Sequence, residues 1–142
     1  MLQELDLQTS FVIKVVLVKP RDNLNKYWGE PMEIRISKQN SATVVAVTGR
    51  MDAITTPEYE KRLNEQISAG ETVFVCDLEG LDYISSAGLR GILTVAKQLK
   101  TKGGQMRFAN MGGAVKEVFD ISGFGSIFQL HDSVAEALSG LE

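Results

Sequence analysis

The alternation of apolar and polar positions changes character near Met32. Before it one block stands out, Phe11-Val-Ile-Lys-Val-Val-Leu-Val18, apolar except for Lys14 and rich in β-branched residues. The stretch PRDNLNKYWGEP follows, with a proline at each end and several turn formers between, which ends an element rather than continuing one. The block reads as an added sheet strand or as a segment that needs cover, because an exposed edge of this kind pairs with other chains. Met32 is itself a candidate translation start. Residues 1–31 are therefore set apart as an N-terminal extension, either an extra strand or a misassigned start, and residues 32–142 are read as the domain.

From Met32 onward strand and helix patterns take turns. Ile34 and Ile36 alternate with polar neighbours, and after Lys38-Gln-Asn-Ser41 the run Ala42-Thr-Val-Val-Ala-Val-Thr48 gives a second strand, so the two are expected to pair as a hairpin. Thr55 or Thr56 is placed to cap a helix, with Pro57 in its first turn and Glu58 set for a capping box with Thr55; Tyr59, Leu63 and Ile67 make its apolar stripe and Ala69-Gly70 its end. Thr72-Val-Phe-Val-Cys-Asp77 is apolar without alternation, the mark of a central parallel strand covered on both faces. Cys76 is accordingly expected in the core. After a loop from Leu78 to Ile84 comes the strongest helix, with Leu89, Ile92, Leu93, Ala96 and Leu99 on one face and Gly103-Gly104 as its stop. Met106-Arg-Phe-Ala109 is a short strand, Ala114, Val115, Val118 and Phe119 line the next helix, Ile127 to Leu130 form a last strand, and Ser133 with Glu136 caps a C-terminal helix. The pattern predicts an α/β domain: a mixed, mostly parallel sheet of four or five strands carrying about four helices.

The bulk properties narrow the function classes. The sequence has 142 residues, 44% hydrophobic and 23% charged, with a formal net charge of −3, which suits one globular domain and gives no field that attracts nucleic acid or an anionic membrane. A single cysteine excludes an internal disulfide and fits a reducing, cytoplasmic setting. The first ten residues lack the basic start of a secretory signal, and the apolar block is too short to span a bilayer.

Ligands of open α/β sheets bind where strand ends meet helix starts. Two loops qualify: Gly49-Arg50-Met51-Asp52, and Asp82 to Leu89. In the second, Ser85 or Ser86 lies where the helix begins, and the free amides of a first turn hydrogen-bond a serine oxygen or an anion placed there. A serine at that position is most often a plain N-cap.

The string Asp77-Leu-Glu-Gly-Leu-Asp-Tyr-Ile-Ser-Ser-Ala-Gly-Leu-Arg-Gly-Ile92 resembles the central signature of STAS domains, specifically the stand-alone bacterial anti-sigma factor antagonists. Gly49-Arg-Met-Asp52 is similar to that family's loop after the second strand, Gly103-Gly-Gln-Met106 to its next strand start, and Ala114-Val-Lys-Glu-Val-Phe-Asp-Ile-Ser-Gly-Phe124 to its third helix. The likeness runs from about Ile34 to Leu138. It implies partner switching: the unphosphorylated antagonist binds an anti-sigma factor that is also an ATP-dependent serine kinase of histidine-kinase-like fold, freeing a sigma factor, and phosphorylation breaks the complex until a serine phosphatase resets it. Laid on the family motif Asp-Ser-Ser/Thr-Gly, Ser86 takes the place of the phosphorylated serine, Ser85 that of the aspartate, Ala87 that of the second hydroxyl residue and Gly88 that of the glycine. The resemblance thus implies Ser86 as acceptor, with Ser85 competing because the acidic neighbour is lost. It also implies a partner-binding face of Arg50, Asp52, Ser85, Ser86, Ala87, Gly88 and Leu89, with Asp52 beside Ser86.

Other chemistries find little here. His131 is the only histidine and Ile84 stands where a Gly-x-Ser-x-Gly elbow needs glycine, so no hydrolase, and no enzyme, is expected; His131 is instead expected on the surface before the last helix. Single Cys76 and His131 give no metal set, and no cofactor is implied. The alternative reading is a STAS-type scaffold that holds a partner without being phosphorylated.

Overall fold

The computed structural model describes residues 32–141; the extension and its Phe11–Val18 block lie outside them. The hairpin forms as its alternation predicts. β1 (Glu33–Gln39) runs antiparallel to β2 (Ala42–Met51), with Ile34 opposite Val47 and Ile36 opposite Val45. The chain then crosses through α1 (Thr56–Ser68) to β3 (Val73–Asp77), parallel to β2. β4 (Leu81–Ile84) and α2 (Ser86–Thr101) lead to β5 (Gln105–Ala109), which pairs with the other side of β3. Last come α3 (Gly113–Ser122), a 3-10 turn at Phe124–Ser126, β6 (Gln129–His131) beside β5, and α4 (Val134–Leu138). Among the described residues the sheet order is β1-β2-β3-β5-β6, with β4 attached to the far end of β2.

The period-2 pattern sorts side chains onto two faces. Val45, Val47, Phe74, Cys76 and Phe108 point to the face covered by α1, α2 and α3, where they meet Tyr59, Leu63, Ile92, Val95, Leu99, Val115 and Phe119 in the main core. Ala42, Val44, Val75 and Ala109 point to the other face, where Ala137 of α4 covers them. Arg107 Nη1 fastens that short helix by donating to the Ala137 carbonyl at 2.8 Å, a cation on a helix C-terminal acceptor. β3 is central and Cys76 fully buried, as the unbroken apolar run requires.

Four local expectations are replaced. The segment taken as a loop from Leu78 to Ile84 ends in β4, and Gly49, Arg50 and Met51, taken as a loop, are the strand that pairs with it: Gly49 faces Leu81, Arg50 faces Tyr83 and Met51 faces Ile84, with a register shift after Gly49. The Thr55–Glu58 capping box is absent because Thr55 Oγ1 is committed elsewhere, donating to the Arg50 carbonyl at 2.7 Å. The last strand begins at Gln129 rather than Ile127, since the 3-10 turn carries Ile127 outward. Along α2 the buried side is Gly88, Gly91, Ile92, Val95 and Leu99, so the stripe is rotated toward two glycines while Leu93 and Ala96 sit at its margin. Ser133 Oγ does accept from the Glu136 amide at 3.0 Å, as its cap pattern predicts.

Candidate functional site

The carboxyl ends of β2 and β4 lie side by side, and everything singled out in the two loops gathers there. Ile84 ends β4, Ser85 turns the chain, and Ser86 opens α2. Ser85 is the N-cap: its backbone is extended (φ −96°, ψ 176°) and its Oγ accepts from the Gly88 amide at 3.3 Å. Its own amide donates to the Met51 carbonyl at 2.9 Å, tying the start of α2 to the end of β2, and its carbonyl accepts the first intrahelical bond from Leu89 at 3.0 Å. The first-turn amides of Ser86 and Ala87 have no carbonyl one turn earlier to bond. Ser86 itself is exposed and Ser85 is half-buried.

Gly88 fixes how closely these parts approach. A Cβ there would lie 2.8 Å from Ile84 Cγ1 and 2.9 Å from the Met51 carbonyl oxygen, so only hydrogen fits. Gly88 is buried, Ala87 and Leu89 are half-buried, and Leu89 packs on the main core. Of the residues that the family resemblance places on the partner face, Ser86 is the most open.

Asp52 closes the turn after β2. Its Oδ1 accepts from the Ile54 amide at 3.0 Å and the Thr55 amide at 3.1 Å, its own amide donates to Thr55 Oγ1 at 3.0 Å, and its carbonyl accepts from Thr56 at 2.9 Å. This is an Asx turn, which uses the short carboxylate as a stand-in for a backbone acceptor. The Asp52 turn follows directly on Met51, whose carbonyl accepts the Ser85 amide. Arg50 lies over the Tyr83 ring, 4.0 Å from the centroid, with Nε 3.8 Å from Asp52 Oδ2. Two exposed apolar residues flank this end that periodicity does not flag: Ile54 at the tip of the turn, 86% exposed, and Tyr83 on β4, 40% exposed.

Other candidates lie elsewhere. His131, expected at the surface, is half-buried at the end of β6, with Nδ1 3.7 Å from Glu136 Oε1 and with β3 and β5 between it and β2. Asp77 is a bracket, its Oδ1 accepting from Asn110 Nδ2 at 2.9 Å and the Glu79 amide at 3.2 Å. Among the described residues no three His, Cys, Asp or Glu side chains converge as a metal set, and no helix is long and apolar enough to cross a membrane.

The family model for the STAS domain matches residues 33–137, from the start of β1 into α4. The chain is a member of the STAS domain family. A Bordetella bronchiseptica protein assigned as the anti-sigma factor antagonist BtrV is 39% identical over 102 residues, 72% of this chain and 88% of that one. The crystal structure of an anti-sigma factor antagonist from Mycobacterium paratuberculosis superposes with a TM-score of 0.71 at 21% identity, over 78% of this chain and 93% of that chain. The Bacillus cell fate determinant SpoIIAA in its phosphorylated form superposes with a TM-score of 0.61 at 19% identity, over 75% and 96%. The two structural likenesses carry the STAS fold; the family match and the relative carry the kinship, and the relatives bear the names of regulators.

Proposed function

We propose that this STAS domain is an anti-sigma factor antagonist that binds an anti-sigma factor with serine kinase activity, releases the sigma factor held there, and is switched off by phosphorylation at Ser86. The observation that carries the reading is the division of labour between adjacent serines. Ser86 is exposed at the first position of α2, whereas Ser85 is half-buried with its oxygen engaged by the Gly88 amide. Support for the role comes from the antagonists named above and from SpoIIAA, which has been solved in both unphosphorylated and phosphorylated forms.

The chemistry is a phosphoryl transfer in which this chain is the substrate. Ser86 Oγ attacks the γ-phosphorus of ATP held by the partner, its proton passes to a base of the kinase, the bond to the bridging oxygen breaks and ADP leaves. The product carries about −1.5 to −2 charge. At its own helix start that charge is comfortable, facing the free amides of the first turn and the positive end of the dipole. Against a partner surface closed over it, the same charge must be desolvated without a counter-ion, and binding is lost while the fold stays. Taking a complex from 99% to 1% occupancy needs roughly 5.5 kcal/mol of differential affinity, so Ser86 has to lie within the contact and not at its rim. A serine phosphatase restores the binding form, and the cycle runs in the cytoplasm.

The test is a calorimetric titration against the anti-sigma factor kinase encoded in the same genome. Ser86→Ala is expected to bind as wild type and to resist modification, and Ser86→Asp to lose measurable binding. Equal affinities for the two variants would remove Ser86 from the switch.

A further inference from the structure

Among the described residues three isoleucines stand mostly in water, Ile54, Ile121 and Ile127, and Ile54 differs from the others in its setting. An isolated apolar residue on a surface is ordinary, but this one sits at the apex of a turn built to hold it still. The Asp52 carboxylate takes the Ile54 and Thr55 amides, Thr55 Oγ1 bridges the Asp52 amide and the Arg50 carbonyl, and the Thr56 amide closes the turn on the Asp52 carbonyl. The backbone around an 86% exposed isoleucine is therefore fixed before any partner arrives, which removes much of the ordering cost that a loop contact otherwise carries. The turn is also continuous with the proposed docking site, since Met51, two residues before its exposed tip segment begins at Ala53, holds the Ser85 amide at 2.9 Å. On the adjoining strand Tyr83 is 40% exposed, its ring already stacked on Arg50, whose charge faces Asp52. Arg50 thus has its own anion, and Ile54 and Tyr83 give this end of the sheet exposed apolar surface near the serine, with Asp82, next to Tyr83 in the chain, exposed as well.

We infer that Ile54 is the anchor of the docking surface, seated in an uncharged apolar pocket of the anti-sigma factor kinase beside the point where Ser86 meets it; the inference rests on the proposed function. It also accounts for the sensitivity of the complex to phosphate, because a pocket that dries around Ile54 leaves a nearby dianion without water. Anchors of this kind lie near the centre of an interface in fully desolvated pockets and act mainly on dissociation.

The experiment is a surface-plasmon titration of wild type, Ile54→Ala, Ile127→Ala and Ser86→Asp on the immobilised kinase, with urea unfolding of each. Ile127 is the matched control: it is 61% exposed and precedes β6, at the amino end of the parallel strands, opposite to Ser86. Removing three buried carbon groups at Ile54 is expected to weaken binding about 50-fold, chiefly through faster dissociation, with the unfolding midpoint unmoved. Ile127→Ala is expected to stay within about twofold of wild type. If Ile54→Ala binds like wild type while Ser86→Asp fails, the anchor is wrong and the switch stands. Equal losses at Ile54 and Ile127 also overturn the anchor. If Ser86→Asp binds like wild type, the underlying function falls with it.

Discussion

Substituting alanine for Gly88 adds one methyl group at the junction that places Ser86 against the end of β2. The new Cβ would stand 2.8 Å from Ile84 Cγ1, 2.9 Å from the Met51 carbonyl oxygen and 3.1 Å from Met51 Cβ. Ile84 and Met51 are both buried strand residues, and the oxygen belongs to backbone that already accepts the Ser85 amide at 2.9 Å, so the clash has no flexible end to give way. Overpacking of this kind costs about 1–3 kcal/mol, and stretching the Ser85–Met51 bond adds about 1 kcal/mol. Alanine returns up to about 1 kcal/mol as the better helix former. The net is about 1–3 kcal/mol of lost stability, a fall in Tm of roughly 4–13 °C for a domain of this size. Urea unfolding followed by circular dichroism reads it as a lower midpoint at unchanged m-value. Gly125→Ala supplies the reference, since a Cβ there meets nothing nearer than 3.7 Å, and is expected within about 0.5 kcal/mol of wild type. A Gly88→Ala protein as stable as wild type would show that α2 rides freely on β2 and that Ser86 is not held where described.

Two further predictions concern groups away from the switch. Burial pushes the Cys76 thiol up to about 12, with the nearby Asp77 charge adding to it and the Tyr59 hydroxyl contact opposing it, so iodoacetamide at pH 8 should leave the native protein unlabelled and modify it only in denaturant; labelling in the native state would contradict the packing of β3. The Lys38 ammonium and Thr43 hydroxyl hold the Glu71 carboxyl below its ordinary value of 4.5. A group depressed in the fold contributes stability above its unfolded pKa and loses it as pH falls through the folded one. Glu71→Gln should therefore lower the urea midpoint slightly at pH 7, slightly because the pair is exposed, and that difference should vanish as pH falls below about 4.5; a difference that persists unchanged into acid would refute the coupling.

The strands and helices that cover the core on both sides are written plainly in the chain, because burial leaves a periodic mark, as in the Val73–Cys76 run and the Tyr59-Leu63-Ile67 stripe, and the Ser133 cap is as plain. What escapes periodicity is contact made by the smallest side chains or by backbone alone. α2 turns Gly88 and Gly91 inward since only they let it approach Met51 and Thr56, and a hydrophobic count assigns that face to Leu93 and Ala96 instead. β4 is four residues long with two of them exposed, too short to alternate visibly, and its pairing with Gly49–Met51 depends on a register shift that no local pattern announces. At the site, the serine pair and Asp52 are legible from the motif, but Thr55 is bound into the Asp52 turn rather than a capping box, and an exposed Ile54 looks in sequence like any core isoleucine. Which serine is free is likewise a matter of geometry, since both can cap a helix and only the fold assigns the cap to Ser85.

Where the phosphoryl group goes, and what it does to binding, decides whether Ser86 is the switch. The most direct measurement treats the whole chain with ATP and the anti-sigma factor kinase, maps the modified peptide by mass spectrometry, and titrates the purified product against the kinase. Modification confined to Ser86, with the modified protein folded and no longer binding, is the expected result. Modification at Ser85, or a phosphorylated protein that binds as tightly as before, would contradict it.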